Sequence, residues 1–259
     1  MNTQTAGDLL RHWRLERRLS QLELAGRSDT SARHLSFIET GRAKPSRAML
    51  VHLSEHLEIP LRERNRLLLA AGYAPVYAEP ALDAPAMDAV RSAMSQILTG
   101  HQPYPALAID HSWTMIDANA GVTLLLDGID PALLTPPINA LRLSLHPDGM
   151  AGQIVNLAEW RGHLFARLSR QIEVTGSPEL VELRDELRAY PGGEVDPALP
   201  DPDQSVVPLR LLRDGHELSF ISITSVFGTP MNVTVAELAI ESFFPADEDT
   251  MKRLTAATS

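Results

Sequence analysis

Residues 19–46, LSQLELAGRSDTSARHLSFIETGRAKPS, constrain the fold more than any other part of the chain. Leu22, Leu24 and Ala25 recur at helical spacing, Ser28, Asp29 and Thr30 supply turn chemistry, and Leu35 and Ile38 form a second apolar set that Gly41 closes. Two helices joined by so short a connection cross steeply and leave one face of the second exposed. Ser31, Ala32, Arg33, Ser36 and Phe37 lie on that face.

The flanking residues extend this unit to five helices. The first is expected from about Gly7 to Arg18, with Leu10 and Trp13 turned inward. Ser46 caps a fourth helix that runs to about Leu57, and a fifth starts near Pro60 or Leu61 and ends by Gly72. The pattern over residues 7–74 resembles the helix-turn-helix of the XRE/Cro phage-repressor family. Ser20-Gln21, Ala25, Glu39, Gly41 and Pro45-Ser46 carry the resemblance.

That resemblance implies binding to a double-stranded DNA operator. The second motif helix enters the major groove, where each base pair shows its own donor and acceptor pattern. Arg33 is the expected base reader, because its planar fork matches guanine O6 and N7. Ser31 and Ser36 are expected to reach phosphate or base, and Ala32 and Phe37 to pack on a thymine methyl. Gln21 matches the family's phosphate-contacting position, and Arg42, Lys44 and Arg47 are assigned backbone-positioning roles. The family also pairs an arginine of its first helix with the glutamate at Glu39, and here Arg14 holds that position. Arg14 and Glu39 are therefore expected to form an internal clamp.

Charge separates this segment from the rest. Residues 1–75 carry 12 Lys+Arg against 8 Asp+Glu, whereas the remainder carries 11 against 25. A basic small domain follows a phosphate backbone and an acidic one is repelled by it, so two domains with different partners are expected. The proline-rich stretch 74–87 marks the boundary, giving domains at 1–74 and 85–259 with a linker at 75–84. The chain has 259 residues and no cysteine. Disulfides and thiolate metal sites are thereby excluded, and a cytoplasmic protein without a membrane segment or signal peptide is expected.

Beyond the boundary, a helix from about Asp83 to Thr99 carries Met87, Val90, Met94 and Ile97/Leu98 on one stripe and suits a connector or a dimer-forming helix. Two strands follow, PALAID and WTMIDAN, with a turn at His111-Ser112. A helix over 153–172 comes next, Pro178 starts another that ends before Tyr190-Pro191, and the acidic, proline-rich run GGEVDPALPDPDQ reads as a flexible surface loop. Residues 207–228 form the clearest hairpin, turning at Asp214-Gly215. A strand over about 236–244 and a final helix complete an α+β domain.

The early strands ending in DANAG, the segments NALRLSLHPDG and IVNLAEWRGHLFARL, and the terminal VFGTPMNVTVAELAIESFFPAD together resemble the MmyB-like ligand-binding domain of XRE-family regulators, over about residues 85–257. The resemblance implies a PAS-like antiparallel sheet with covering helices, and a sensor for an apolar small molecule such as a fatty acid. Expected wall residues are Trp113, Met115, Trp160, Leu164, Phe165, Phe220, Ile223 and Phe227, with His163, Arg161 or Asn119 as polar anchors.

No HExxH, GxSxG, phosphate loop or paired-carboxylate motif is present, and His101, His111, His146 and His163 lack metal-ligand spacing, so neither catalysis, a metal nor a cofactor is expected. The reading is a dimeric, ligand-sensing transcriptional regulator. The alternative is an antitoxin-like or scaffold DNA-binding protein whose acidic domain binds a partner protein.

Overall fold

The computed structural model describes residues 4–192 and 206–256. The acidic, proline-rich run expected as a surface loop lies, apart from Gly192, outside the described residues. The chain divides into two compact units. One runs to Pro80 and takes in Glu173–Gly176 and Met231–Val233; the other comprises the rest.

The first unit contains α1 Ala6–Glu16, α2 Gln21–Arg27, α3 Ala32–Glu39, α4 Arg47–His56 and α5 Leu61–Ala70. Hydroxyl side chains start four of these helices: Thr5, Ser20, Ser31 and Ser46 each accept from the backbone N–H three residues on. Asp8 and Glu23 return the bond at Thr5 and Ser20, and each such cap contributes about 1 kcal/mol. Leu10, Leu24, Leu35, Leu50, Leu53 and Leu57 form the core with Trp13. Leu22, counted in the apolar stripe of α2, is instead exposed. The first helix stops at Glu16, short of the expected Arg18, which takes a left-handed turn at φ 53°. Gly7 lets α1 approach α3, because a Cβ there would stand 2.5 Å from the Ile38 carbonyl oxygen.

The stretch expected as a linker is held from both sides. Asn65 of α5 donates to the Tyr77 carbonyl at 2.7 Å and accepts from the Val76 and Tyr77 N–H groups, both at 3.1 Å. Further on, Arg91 donates to the carbonyls of Leu82 and Ala84.

The second unit is built on a five-stranded antiparallel sheet. Its strands are β1 Ala106–Ile109, β2 Met115–Ala118, β3 Leu209–Arg213, β4 His216–Val226 and β5 Ala239–Pro245, in the order β2-β1-β5-β4-β3. The helices are α6 Asp88–Gly100, α7 Thr123–Leu126, α8 Ala140–Leu145, α9 Leu157–Thr175, α10 Pro178–Ala189, α11 Val233–Ala236 and α12 Glu248–Ala256. The β3–β4 hairpin turns at Asp214-Gly215 with φ of 50° and 74°, the two positive values a tight two-residue turn requires.

Three boundaries differ from expectation for local reasons. Pro85 opens a short 3₁₀ turn, so α6 begins only at Asp88. Ile154 bridges to Leu211 at the sheet edge, and Asn156 ties to Pro208 and Arg210, which delays α9 to Leu157. Residues 233–236 coil into α11, so β5 starts at Ala239.

Helix α6 is not left free as a connector. Its Met94 and Leu98 pack on Ala106, Ala108, Leu238 and Ile240 of one sheet face, where the small alanines admit the helix; only Ile97 of its stripe is exposed. The other face, with Leu107, Ile109, Leu209, Leu211, Phe220 and Phe243, is covered by α7–α10 and forms the main core.

Candidate functional site

Two places carry functional geometry, one in each unit. In the first, α3 is fixed by a buried polar clamp. Arg14 donates to both carboxylate oxygens of Glu39, at 2.7 and 2.8 Å, and its remaining Nη1 donates to the Leu19 carbonyl at 2.7 Å. Gln21 adds a bond from Nε2 to Glu39 at 2.8 Å. Hydrogen bonding to Glu39 raises the Arg14 pKa above its ordinary value. The carboxylate at the end of α3 is thus tied to α1 and α2 together. Gln21, expected at a phosphate, spends an amide hydrogen on this clamp.

The face that α3 leaves open holds Arg33, exposed, with Ala32, Ser36 and Phe37 half-buried around it. The Arg33 guanidinium lies over the Phe37 ring, 5.4 Å from its centroid, so the aromatic side chain supports the cation. Ser31 is the N-cap of α3, and its Oγ accepts from the His34 N–H at 3.1 Å, a local duty that competes with an outside contact. Arg42, Lys44 and Arg47 remain exposed. The loop that carries them is braced: the Arg42 and Ala43 N–H groups both reach the Phe37 carbonyl, Lys44 stands 5.5 Å over the Tyr73 ring, and the Tyr73 hydroxyl donates to the Pro45 carbonyl at 2.9 Å.

In the second unit, the core between the sheet and helices α7–α9 holds a partly open cavity of about 70 Å³. Of the expected wall residues, Trp113, Met115, Trp160 and Leu164 line it. Leu107, Ile109, Leu143, Met150, Leu209 and Phe243 complete much of the apolar surface, and Ser144, Arg167 and Glu241 supply the polar groups. Ser144 Oγ accepts from the Trp160 indole N–H at 2.9 Å.

The other expected wall residues lie elsewhere. Phe220 and Phe165 are buried in the same core without reaching the cavity. Ile223 and Phe227 belong to the opposite sheet face. Along β4, Phe220, Ser222 and Thr224 alternate with Ile221 and Ile223; Ile223 pairs with Ser242 and is 49% exposed, while Phe227 packs against the α6 cluster. His163 stacks on Trp160 at 5.3 Å from outside the lining, and burial, reinforced by Arg167, holds its imidazole below the ordinary histidine value.

The expected polar anchors are structural ties. Asn119 accepts from the Ala106 N–H at 3.0 Å and donates to the carbonyls of Leu98 and Tyr104. Arg161 is buried, donates from Nη2 to the carbonyls of Leu187 and Arg188 at the end of α10, and has its pKa lowered by burial.

The charged pair at the cavity was missed in the sequence. Arg167 Nη1 and Nη2 bond to the two carboxylate oxygens of Glu241 at 2.8 and 2.9 Å. The Thr224 hydroxyl accepts from Arg167 at 2.7 Å and donates to Glu241 at 2.8 Å. Burial pushes the Glu241 carboxyl up, but Arg167 together with the Thr224 and Ser222 hydroxyls outweighs it, leaving the pKa below the ordinary carboxylate value. Trp113 lies under the Arg167 guanidinium at 4.9 Å. Asp110 sets that indole in place: its carboxylate accepts from the Ser112 and Thr114 N–H groups at 2.8 and 2.9 Å, around a Trp113 held at φ 65°. A signal for the pair was available, since Glu241 is the lone charge in the apolar run AIESFF and Arg167 follows Trp160 by seven residues on the α9 stripe.

Among the described residues, no group of three or more His, Asp or Glu side chains is placed to hold a metal ion, and no helix is long and apolar enough to cross a membrane. Residues 5–67 match the family model of a helix-turn-helix domain, and residues 90–257 match that of the MmyB-like transcription regulator ligand binding domain. No curated protein matches the chain. The braced α2–α3 unit and the apolar cavity fall within these two matches, and the chain belongs to the MmyB-like transcription regulators, with a helix-turn-helix DNA-binding domain followed by a ligand-binding domain.

Proposed function

We propose that this regulator binds a specific operator as a homodimer of the XRE type, in the cytoplasm and without catalysis, and that its C-terminal, PAS-like domain senses an apolar, fatty-acyl-like molecule. The observation that carries the ligand class is the cavity itself: nearly all of its wall is aliphatic, aromatic or thioether. Its volume of about 70 Å³ is roughly half the ~150 Å³ of an engineered cavity that takes up benzene. An acyl chain therefore enters by displacing side chains, and Met115 and Met150 are unbranched residues that yield at low cost.

On the DNA side, Arg33 on its Phe37 support reads a base, while Arg42, Lys44 and Arg47 follow the phosphates. Two copies place their α3 helices about one DNA turn, ~34 Å, apart. Ligand binding alters DNA affinity to the extent that two conformations of the protein differ in ligand affinity.

The test is ligand uptake by full-length protein. Native mass spectrometry with a medium-chain n-alkyl series should show stoichiometric binding, and Leu164→Trp, which fills the cavity from α9, should abolish it. Equal uptake by the filled variant would place the ligand elsewhere.

A further inference from the structure

The polar end of the cavity is occupied by a pair that satisfies itself. Among the described residues of the lining, Arg167 and Glu241 are the only charged side chains. Both terminal nitrogens of Arg167 are engaged by the carboxylate, the Glu241 side chain is only 6% exposed, and two hydroxyls, Thr224 and Ser222, complete its shell. We infer that Glu241 holds on Arg167 the place a ligand carboxylate would need, so that the cavity selects apolar ligands with an uncharged, hydrogen-bonding head group over the free acid of the same chain length. This rests on the reading of the cavity as the ligand site and adds the chemistry of the head group.

The selection follows from what each head group would leave behind. A carboxylate that takes Arg167 strands Glu241 in an apolar core without its cation, and one that leaves the pair intact is itself buried beside a second carboxylate. No other cation in the lining compensates. His163, behind Trp160, is held toward its neutral form by burial. An alcohol or amide behaves differently, because it donates to the Glu241 or Thr224 oxygens and leaves the pair unbroken. The pair is thus a repulsive element against anions as well as an anchor for neutral donors.

The experiment is calorimetric titration of ligand-stripped, full-length protein near neutral pH with n-alkanols, n-alkanamides and n-alkanoates of matched length, from hexyl to dodecyl. The alcohol and amide series should bind at least about tenfold more tightly than the ionised acids, a lower bound for the effect of a desolvated, unpaired charge. Glu241→Gln, which frees Arg167 for a ligand carboxylate, should invert that order.

Acids that bind the wild type as tightly as the alcohols overturn the inference, and this comparison needs no variant. A Glu241→Gln protein that keeps its native near-ultraviolet dichroism and retains the wild-type order also overturns it. If no series binds, the apolar-ligand reading fails as well, which is distinct from a reversed preference among ligands that do bind.

Discussion

Two of the protein's bidentate arginine–glutamate pairs, each with a nearly buried carboxylate, have almost the same dimensions. Arg14–Glu39 spans 2.7 and 2.8 Å, and Arg167–Glu241 spans 2.8 and 2.9 Å. Their surroundings are opposite. The first is sealed by the Leu19 carbonyl and Gln21, with side chains 7% and 2% exposed. The second, 24% and 6% exposed, stands on Trp113 at the wall of a cavity. One pair fixes the angle of a helix and the other decides what can enter beside it. The same charge chemistry becomes architecture or selectivity according to the space next to it.

Removing one partner from each pair tests this contrast most strongly. Glu39→Ala leaves a desolvated arginine among three helices, and should cost about 3–5 kcal/mol in urea denaturation while DNA binding falls in step with melting. Arg167→Ala leaves Glu241 with two hydroxyls and a cavity at its side, and should cost less, about 1–3 kcal/mol, with DNA binding retained in the absence of ligand. Equal losses would erase the distinction between the pairs. Lost DNA binding with unchanged melting in Glu39→Ala would move that residue from the clamp to the DNA.

A smaller effect sharpens the account of the face the clamp presents. Arg33 is exposed, so Arg33→Ala should leave stability nearly unchanged and cost about 1–3 kcal/mol of discrimination at a single base position. Selection of bound sequences from a random pool measures this. A uniform loss over all sequences would make Arg33 a phosphate contact only.

The two pairs also differ in how far they could be read in advance. Arg14–Glu39 was legible through the resemblance to the XRE/Cro helix-turn-helix, which pairs a first-helix arginine with the glutamate at this position, and the structure forms that pair. In the second unit the long helices α6, α9 and α10, the Asp214-Gly215 hairpin and the α+β class were legible from local periodicity and turn residues, whereas the short helices α8 and α11 were not expected. Ile223 and Phe227 were assigned to the wall because β4 is apolar on both faces along Leu218–Ile223, with Leu218 and Phe220 on one face and Ile221 and Ile223 on the other, which hides the phase of the strand until its register with β5 is known. Arg167 and Glu241 meet only through the packing of α9 on β5, 74 residues apart, and no local pattern encodes that distance. The start of β5 was misplaced because Val233–Ala236, a β-branched run, coils into α11.

Operator affinity measured with and without a bound apolar ligand, in the wild type and in Leu164→Trp, tests the central claim most directly. Fluorescence anisotropy with the selected operator should show an affinity change of about fivefold or more in the wild type, the lower range of allosteric coupling, and none in the filled variant. A ligand that saturates the wild-type cavity and leaves operator affinity unchanged, or one that shifts both proteins equally, would contradict it.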